Sequence, residues 1–354
     1  MTTFALTAGR RLSFKREGTT PLLRRNLGRR KRFRDSGLSF QTANPLEMAA
    51  KDRGASATVC PEAPMSMTAA DLVRLFDLAS DGDDRYVGTS DPSRWRRVYG
   101  GQVLGQALIA ASRTAGERAP HSLHAYFLLG GDPKQPIVYE VERVRDGRSF
   151  TTRRVVARQR GEAIFVSTVS FQVEEPGFEH ALAKPDLPSP EALIDPRAAA
   201  AMLGDPLRSR LTGFLDAIAP IEFRPVDPGR FILGGAGEPR QSLWIKIAGE
   251  LPDDPTIHRA ALAYLSDLAL LDTALIPHGL HILSPRVQVA SLDHALWLHR
   301  PMKADEWLLY VQDSPSATGA RGLARGELFD LRGALVASVA QEGLMRPRRD
   351  TPPT

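Results

Sequence analysis

The chain has 354 residues, enough for one large or two ordinary domains, and 42% of them are hydrophobic, so a substantial core is expected. A single cysteine, Cys60, excludes an intramolecular disulfide, and no run of about 18 apolar residues offers a membrane-spanning helix. The net charge of +5 is concentrated at the start, where residues 1–35 carry nine Arg and two Lys against Glu17 and Asp35; the rest of the chain is slightly acidic, so the basic balance does not argue for a nucleic-acid-binding fold.

Residues 1–64 show no sustained apolar periodicity and are expected to form a disordered basic tail. Three readings of it stand: an Arg-rich, acid-poor transit peptide, a basic arm for nucleic acid or anionic lipid, or an upstream start with Met65 or Met67 as the first residue. The tail lacks the apolar stretch of a secretory signal. Cys60 lies among Pro, Ala and Ser and reads as a bystander. A helix opens cleanly after Thr68, a plausible N-cap, with Leu72, Leu75, Phe76 and Leu78 near helical spacing.

In YGGQVLGQALIAASRTAG, Val103, Leu104, Ala107, Leu108 and Ala111 recur at helical spacing, and Gly116 stops the run. Four strand-like stretches follow: HSLHAYFLLGG, PIVYEVERVRDG, SFTTRRVVARQRG and EAIFVSTVSFQV. Residues 175 to about 240 are rich in Pro, Gly and charge and read as a linker with short elements. The helix-then-strands order then repeats. IHRAALAYLSDLALLDTALIPHG reads as one helix ended by Pro277 and Gly279, and VQVASLDHALWLHRP, EWLLYVQDSPS, ARGLARGELFDLRG and ALVASVAQEGLMR read as strands. Aligning His124 with His294 sets HAYFL against HALWL, so an internal duplication is expected, each unit wrapping a sheet around one apolar helix.

Three polar residues stand on faces that otherwise read as buried. Asp267 falls in the middle of the second helix among Ala263, Tyr264, Leu270 and Leu271, where neither capping nor the helix dipole explains it. Ser291 continues the strand face of Val287 and Val289, and Gln341 breaks the apolar row of Leu335, Ala337 and Val339. Each also has a plain reading: Ser291 as a small edge residue and Gln341 as a strand end turned to solvent. Buried polar groups need partners, and these three could partner one another.

Other motifs carry less. No G-x-S-x-G elbow occurs, which argues against a serine-nucleophile hydrolase. His278, His281, His294 and His299 lack the Cys or acidic companions of a zinc set, so no metal is expected. Gly100 and Gly101 open a helix and could cradle an anion, or could allow close packing. Arg143, Arg145, Arg148, Arg153, Arg154 and Arg158 could meet phosphates, or could guard an exposed sheet edge.

The blocks YGGQVLGQAL, HSLHAYFL, VYEVERVRDGRSFTTRRVVARQ, AYLSDLALLDTALIPHG, SLDHALWLHRP and VASVAQEGLM, in this order, make residues 67–347 resemble the acyl-CoA thioesterase II family. The resemblance implies an α+β double hotdog: an N-terminal hotdog over 67–178, a linker over 179–240, a C-terminal hotdog over 241–347 and a disordered tail over 348–354. It implies that Asp267, Ser291 and Gln341 orient a water for direct attack on an acyl-CoA thioester, without cofactor or covalent intermediate. A homodimer in the cytoplasm is expected, with organellar import if the basic tail is genuine, and no nucleic acid or membrane span. Two departures stand out. Ser291 replaces the more usual Thr, and FLLGGDPKQP lacks the Arg that relatives carry after FL, which removes a cation near residues 129–134. Val169 occupies the first-half register of Gln341, and the first-half counterpart of Asp267 reads as apolar or small. A hotdog dehydratase using His124 or His294 as base, and a non-catalytic acyl-CoA-binding protein, are the rival readings.

Overall fold

The computed structural model describes residues 66–90, 96–281 and 284–348; the readings of the basic tail, of Cys60 and, beyond Arg348, of the C-terminal tail over 348–354 lie outside them. Thr68 caps α1 (Ala69–Phe76): its side chain accepts from the Asp71 amide while Asp71 takes the Thr68 N–H, a reciprocal capping box. The short β1 (Ala79–Ser80) and β2 (Arg85–Gly88) lead into α2 (Gly100–Ser112), then β3 (Ala119–Phe127), β4 (Ile137–Asp146), β5 (Phe150–Gln159) and β6 (Glu162–Gln172). The Pro-rich middle holds α3 (Pro196–Ala201), α4 (Asp205–Ile218), β7 (Ile221–Pro225) and α5 (Pro228–Leu233). After β8 (Arg240–Ile247) come α6 (Pro255–Ser266), α7 (Asp272–Leu275), β9 (Val287–Ser291), β10 (Asp293–Leu298), β11 (Leu308–Thr318), β12 (Arg321–Phe329) and β13 (Leu335–Pro347).

The strands build one antiparallel sheet in the order β1-β2-β4-β5-β6-β3-β10-β13-β12-β11-β8-β7, with β9 pairing β13. The duplication is visible in this order. Strands β3 to β6 after α2 correspond to β10 to β13 after α6, and the halves join where β3 pairs β10, Ala125 opposite His294. This is the expected double hotdog. Each long helix is buried against its half of the sheet, as the layer rules require of an apolar helix. In α2, every residue from Gly101 to Ala111 is buried.

The two helices cross antiparallel at small residues. A Cβ on Gly101 would collide with the Tyr264 carbonyl, and one on Gly105 would stand 2.6 Å from the Phe76 ring and 3.0 Å from the Ala260 carbonyl. Glycine at these two places therefore lets the backbones of the two halves touch. The buried amide of Gln106 is satisfied by the Leu75 carbonyl at 2.7 Å and the Tyr139 hydroxyl at 2.6 Å, as a buried polar group must be.

Candidate active site

The structure brings Asp267, Ser291 and Gln341 together, from a helix end and two neighbouring strands. Asp267 is not mid-helix, as its apolar neighbours suggested. It is the C-cap of α6, and the chain turns there: Leu268 N–H returns to the Leu265 carbonyl at 3.0 Å and Ala269 adopts φ +61°. No Gly or Pro marks this stop. Tertiary contacts impose it, and the left-handed Ala269 stores about 1–3 kcal/mol of strain beside the candidate site. The carbonyls that the helix end leaves open are met by two tyrosines. Tyr99 OH donates to the Tyr264 carbonyl at 3.0 Å and Tyr310 OH to the Ser266 carbonyl at 2.8 Å. Burial first, and the Asp267 charge second, push both phenols well above their ordinary range, so they remain donors at any working pH.

A carboxylate at the C-terminus of its own helix is poorly placed electrostatically. Here the first half compensates. The Gly101 N–H, in the first turn of α2, donates to Asp267 Oδ2 at 2.9 Å. The anion that Gly100 and Gly101 cradle is thus the protein's own Asp267, and close packing is the second use of the same pair. A Cβ on Gly100 would lie 2.7 Å from Oδ2, so glycine is needed there for the carboxylate to fit.

Gln341 holds the trio together. Its Nε2 donates one hydrogen to Asp267 Oδ1 at 2.8 Å and the other to Ser291 Oγ at 2.9 Å. The residue is 1% exposed, so it does not turn to solvent. With both hydrogens engaged, the amide fixes Ser291 as an acceptor, which leaves the serine hydroxyl hydrogen free to point elsewhere. Asp267 keeps some exposed surface, yet protein atoms crowd its carboxyl. Burial raises its pKa above the usual carboxylate value, against the lowering effect of the Gln341 and Gly101 hydrogen bonds.

A bulge sets the position of Ser291. The single strand expected over residues 287–298 is two: Ser291 pairs Gly343 and Ala295 pairs Ala340, so three residues on one side face two on the other. Asp293 fills the gap by accepting the Glu342 N–H at 2.7 Å. Such an extra residue bends a strand and re-aims its side chains.

His294, beside the bulge, is 1% exposed, and its Nε2 meets Ser266 Oγ at 2.9 Å. Because Ser266 Oγ also donates to the Ala263 carbonyl, the bonding assigns the proton to Nε2. Burial lowers its pKa to about 3, so it stays neutral and is a poor base. His124 packs edge-on against Trp297 and is exposed. The burial of His294 and the exposed position of His124 on the outer face of β3 both argue against a dehydratase base. In the first half, Val169 is fully buried opposite Leu123.

Most of the arginine run is engaged internally. Arg143 pairs with Asp84 at 2.6 Å, Arg153 with Asp146 at 2.6 Å, Arg154 with Glu142 at 3.3 Å and Arg158 with Glu140 at 2.8 Å. On β4 the pairing with β2 stops at Glu140, so Arg143 and Arg145 stand on an exposed stretch flanked by β5 alone, whereas β5 lies between β4 and β6. Near the cation-poor loop, the Arg97 side chain packs over Gly130, and the Val98 N–H bonds to the Gly131 carbonyl. A cation therefore does stand at that loop, supplied by Arg97 from the segment before α2, which carries no motif that marks it in the sequence.

Comparison with known proteins gives a consistent picture. A family model described as acyl-CoA thioesterase matches residues 216–344, and one described as acyl-CoA thioesterase N-terminal domain matches residues 91–172. The chain is 42% identical over 263 residues to acyl-coenzyme A thioesterase 8 of Mus musculus, covering 71% of this chain and 81% of that protein. It is 40% identical over 276 residues to acyl-CoA thioesterase 2 of Haemophilus influenzae, covering 78% and 96%. Among solved structures it resembles the acyl-CoA thioesterase II TesB2 from Mycobacterium marinum, with TM-score 0.65 and 40% identity over 79% of this chain and all of that one.

Proposed function

The chain belongs to the acyl-CoA thioesterase II family, and from that premise we propose that it hydrolyses acyl-CoA to a free fatty acid and CoA, with Asp267, Ser291 and Gln341 holding the attacking water. One observation carries the reading: the Gln341 amide donates simultaneously to Asp267 and Ser291. That leaves a carboxylate able to accept a proton and a hydroxyl able to donate one, side by side.

A water between them donates one hydrogen to Asp267 and accepts one from Ser291, which aims its remaining lone pair outward. It attacks the thioester carbonyl carbon as Asp267 takes its proton, acting as general base. The positive end of α2, already facing Asp267, favours the negative charge that develops on the carbonyl oxygen. When the tetrahedral intermediate collapses, the C–S bond breaks and the proton held by Asp267 passes to the leaving sulfur. The products are the carboxylic acid and the CoA thiol.

The reaction is tested by free-thiol release from short-, medium- and long-chain acyl-CoAs. The route is tested by a single turnover in 18O-labelled water. Direct attack places 18O in the fatty acid of the first turnover. An acyl–Asp267 anhydride, cleaved at the enzyme carboxyl, would instead deliver an unlabelled oxygen from the protein and would overturn the general-base assignment.

The resemblance also leads us to propose a homodimer. An exposed aromatic patch on the outer face of the central strands, with Tyr126 61% and Trp297 37% exposed, supports this, because apolar patches of this kind commonly mark interfaces. Sedimentation velocity on the full chain checks it: a monomer at micromolar concentration contradicts the proposal. No helix among the described residues is long and apolar enough to cross a membrane.

A further inference from the structure

The Pro-rich middle of the chain encloses a cavity that the reaction above does not use. It lies between α4, α5, the paired strands β8 and β11, and the α7 turn, and has a volume of about 560 Å3. That is within the roughly 300–1,000 Å3 of pockets that engulf small organic ligands. Its walls are apolar: Leu211 and Phe214 from α4, Phe231 from α5, and Ile276 and Leu280 beyond α7. Its lining also carries Arg210 and Arg240, both exposed, and among the described residues neither guanidinium makes an ion pair. The acids nearby are already engaged: Asp227 with Arg230 at 3.5 Å, Asp313 with Arg325 at 2.7 Å, and Asp272 with a partner of its own.

This cavity is separate from the trio, although both use one face of the same sheet. Val339 pairs Gly326 and Gly326 pairs Gln312, so Gln312 on the lining points to the same side as Gln341. Between them the fully buried Tyr310 lays its ring over Gly326, where a Cβ would collide with it. Gln241, Gln312 and Thr273 close the wall with hydrogen bonds of 2.7–3.0 Å, and Gln241 also holds the Ala269 carbonyl at 2.8 Å. Asp267, Ser291 and Gln341 are absent from the lining.

We propose that this cavity is a second binding site, for a single-chain aliphatic anion of the fatty-acid class, with the alkyl chain inside and the carboxylate at Arg210 and Arg240. An apolar interior with unpaired cations on its lining suits that chemistry: chain burial drives binding and charge-assisted hydrogen bonds orient the head. The identity of the ligand as the reaction's own product rests on the thioesterase reading; the site does not. A chain seated there would pack against Ile276, in the segment that begins at Asp267.

Calorimetric titration of dodecanoate into the full chain tests the proposal, using wild type, the surface variant Arg210→Glu/Arg240→Glu, and Leu211→Trp, which fills the cavity. Saturable binding by wild type is expected, weakened at least tenfold by the charge reversal and abolished by the tryptophan, with thiol release from acetyl-CoA retained in both variants. Dodecanoate should still bind when a non-hydrolysable thioether analogue of an acyl-CoA saturates the trio. Absence of saturable binding to wild type, or binding unchanged in the charge-reversed variant, overturns the proposal. Stoichiometric displacement by the thioether analogue overturns it too, by making the cavity the acyl arm of the catalytic site. Binding as expected in a protein that releases no thiol would leave this site standing and remove the hydrolytic reading.

Discussion

The Gly101 amide of the first half donates to the Asp267 carboxylate of the second at 2.9 Å. The candidate base is thus held by a helix N-terminus from the other repeat, and neither half could build the site alone. Close packing of the two units is a condition of the chemistry, because α2 and α6 must cross with no side chain between Gly101 and Tyr264.

The glycines divide by role, and alanine separates them. Gly100→Ala puts a Cβ against Asp267 Oδ2. It should lower kcat by about tenfold or more through displacement of the base, while the melting temperature changes little. Gly105→Ala wedges the helices apart at Phe76 and Ala260. It should cost about 1–3 kcal/mol of stability, with activity per folded molecule retained. Thermal unfolding beside thiol-release kinetics reads both, and the reverse pattern would contradict the division.

Asp267→Asn should fold and be no less stable than wild type at neutral pH. The carboxyl's pKa is raised in the folded state by burial, so the native protein holds that proton more tightly than the unfolded chain does. Stability from this group is therefore greatest at acid pH and declines as pH rises from about 4 through the raised native value. An amide removes that penalty. A flipped Gln341 can accept from the introduced amide and from Ser291, which turns the hydroxyl the wrong way and moves the Gln341 NH2 to the buried place where Oε1 now has no partner. Urea unfolding at pH 4 and pH 8 checks this: the variant's advantage should grow with pH.

The acid limb of kcat/KM should report Asp267 and lie above the ordinary carboxylate range. Gln341 opposes the raising effect of burial. Gln341→Leu should therefore move the limb to still higher pH as well as lowering kcat. A limb unmoved by this substitution would mean that another group titrates.

Ser291→Ala removes the hydroxyl that orients the water and should cost roughly a hundredfold in kcat, by analogy with loss of one aligned donor. Ser291→Thr keeps the hydroxyl with fewer rotamers and should retain activity within a few-fold. Equal loss in both variants would point to packing at the bulge instead of hydrogen bonding.

Local pattern made much of this fold legible. The spacing of Val103, Leu104, Ala107 and Leu108 marks α2 because a buried helix repeats its apolar positions, and the repeated element order disclosed the duplication. What failed had tertiary causes. The end of α6 at Ser266 is imposed by Tyr99, Tyr310 and α2, and leaves no Gly or Pro in the sequence, so Asp267 looked mid-helix. The bulge at Asp293 depends on a pairing register that one strand cannot disclose. The cavity arises where the middle helices close over the second half of the sheet, from residues that singly look like an ordinary linker.

The most direct test of the central claim is the rate of thiol release from decanoyl-CoA by wild type and by Asp267→Asn, with both shown folded by circular dichroism. Removing the base while keeping its shape should lower kcat by about a hundredfold or more and leave KM within a few-fold. Comparable turnover in the two proteins would show that Asp267 does not activate the water, and would remove the trio as the catalytic centre.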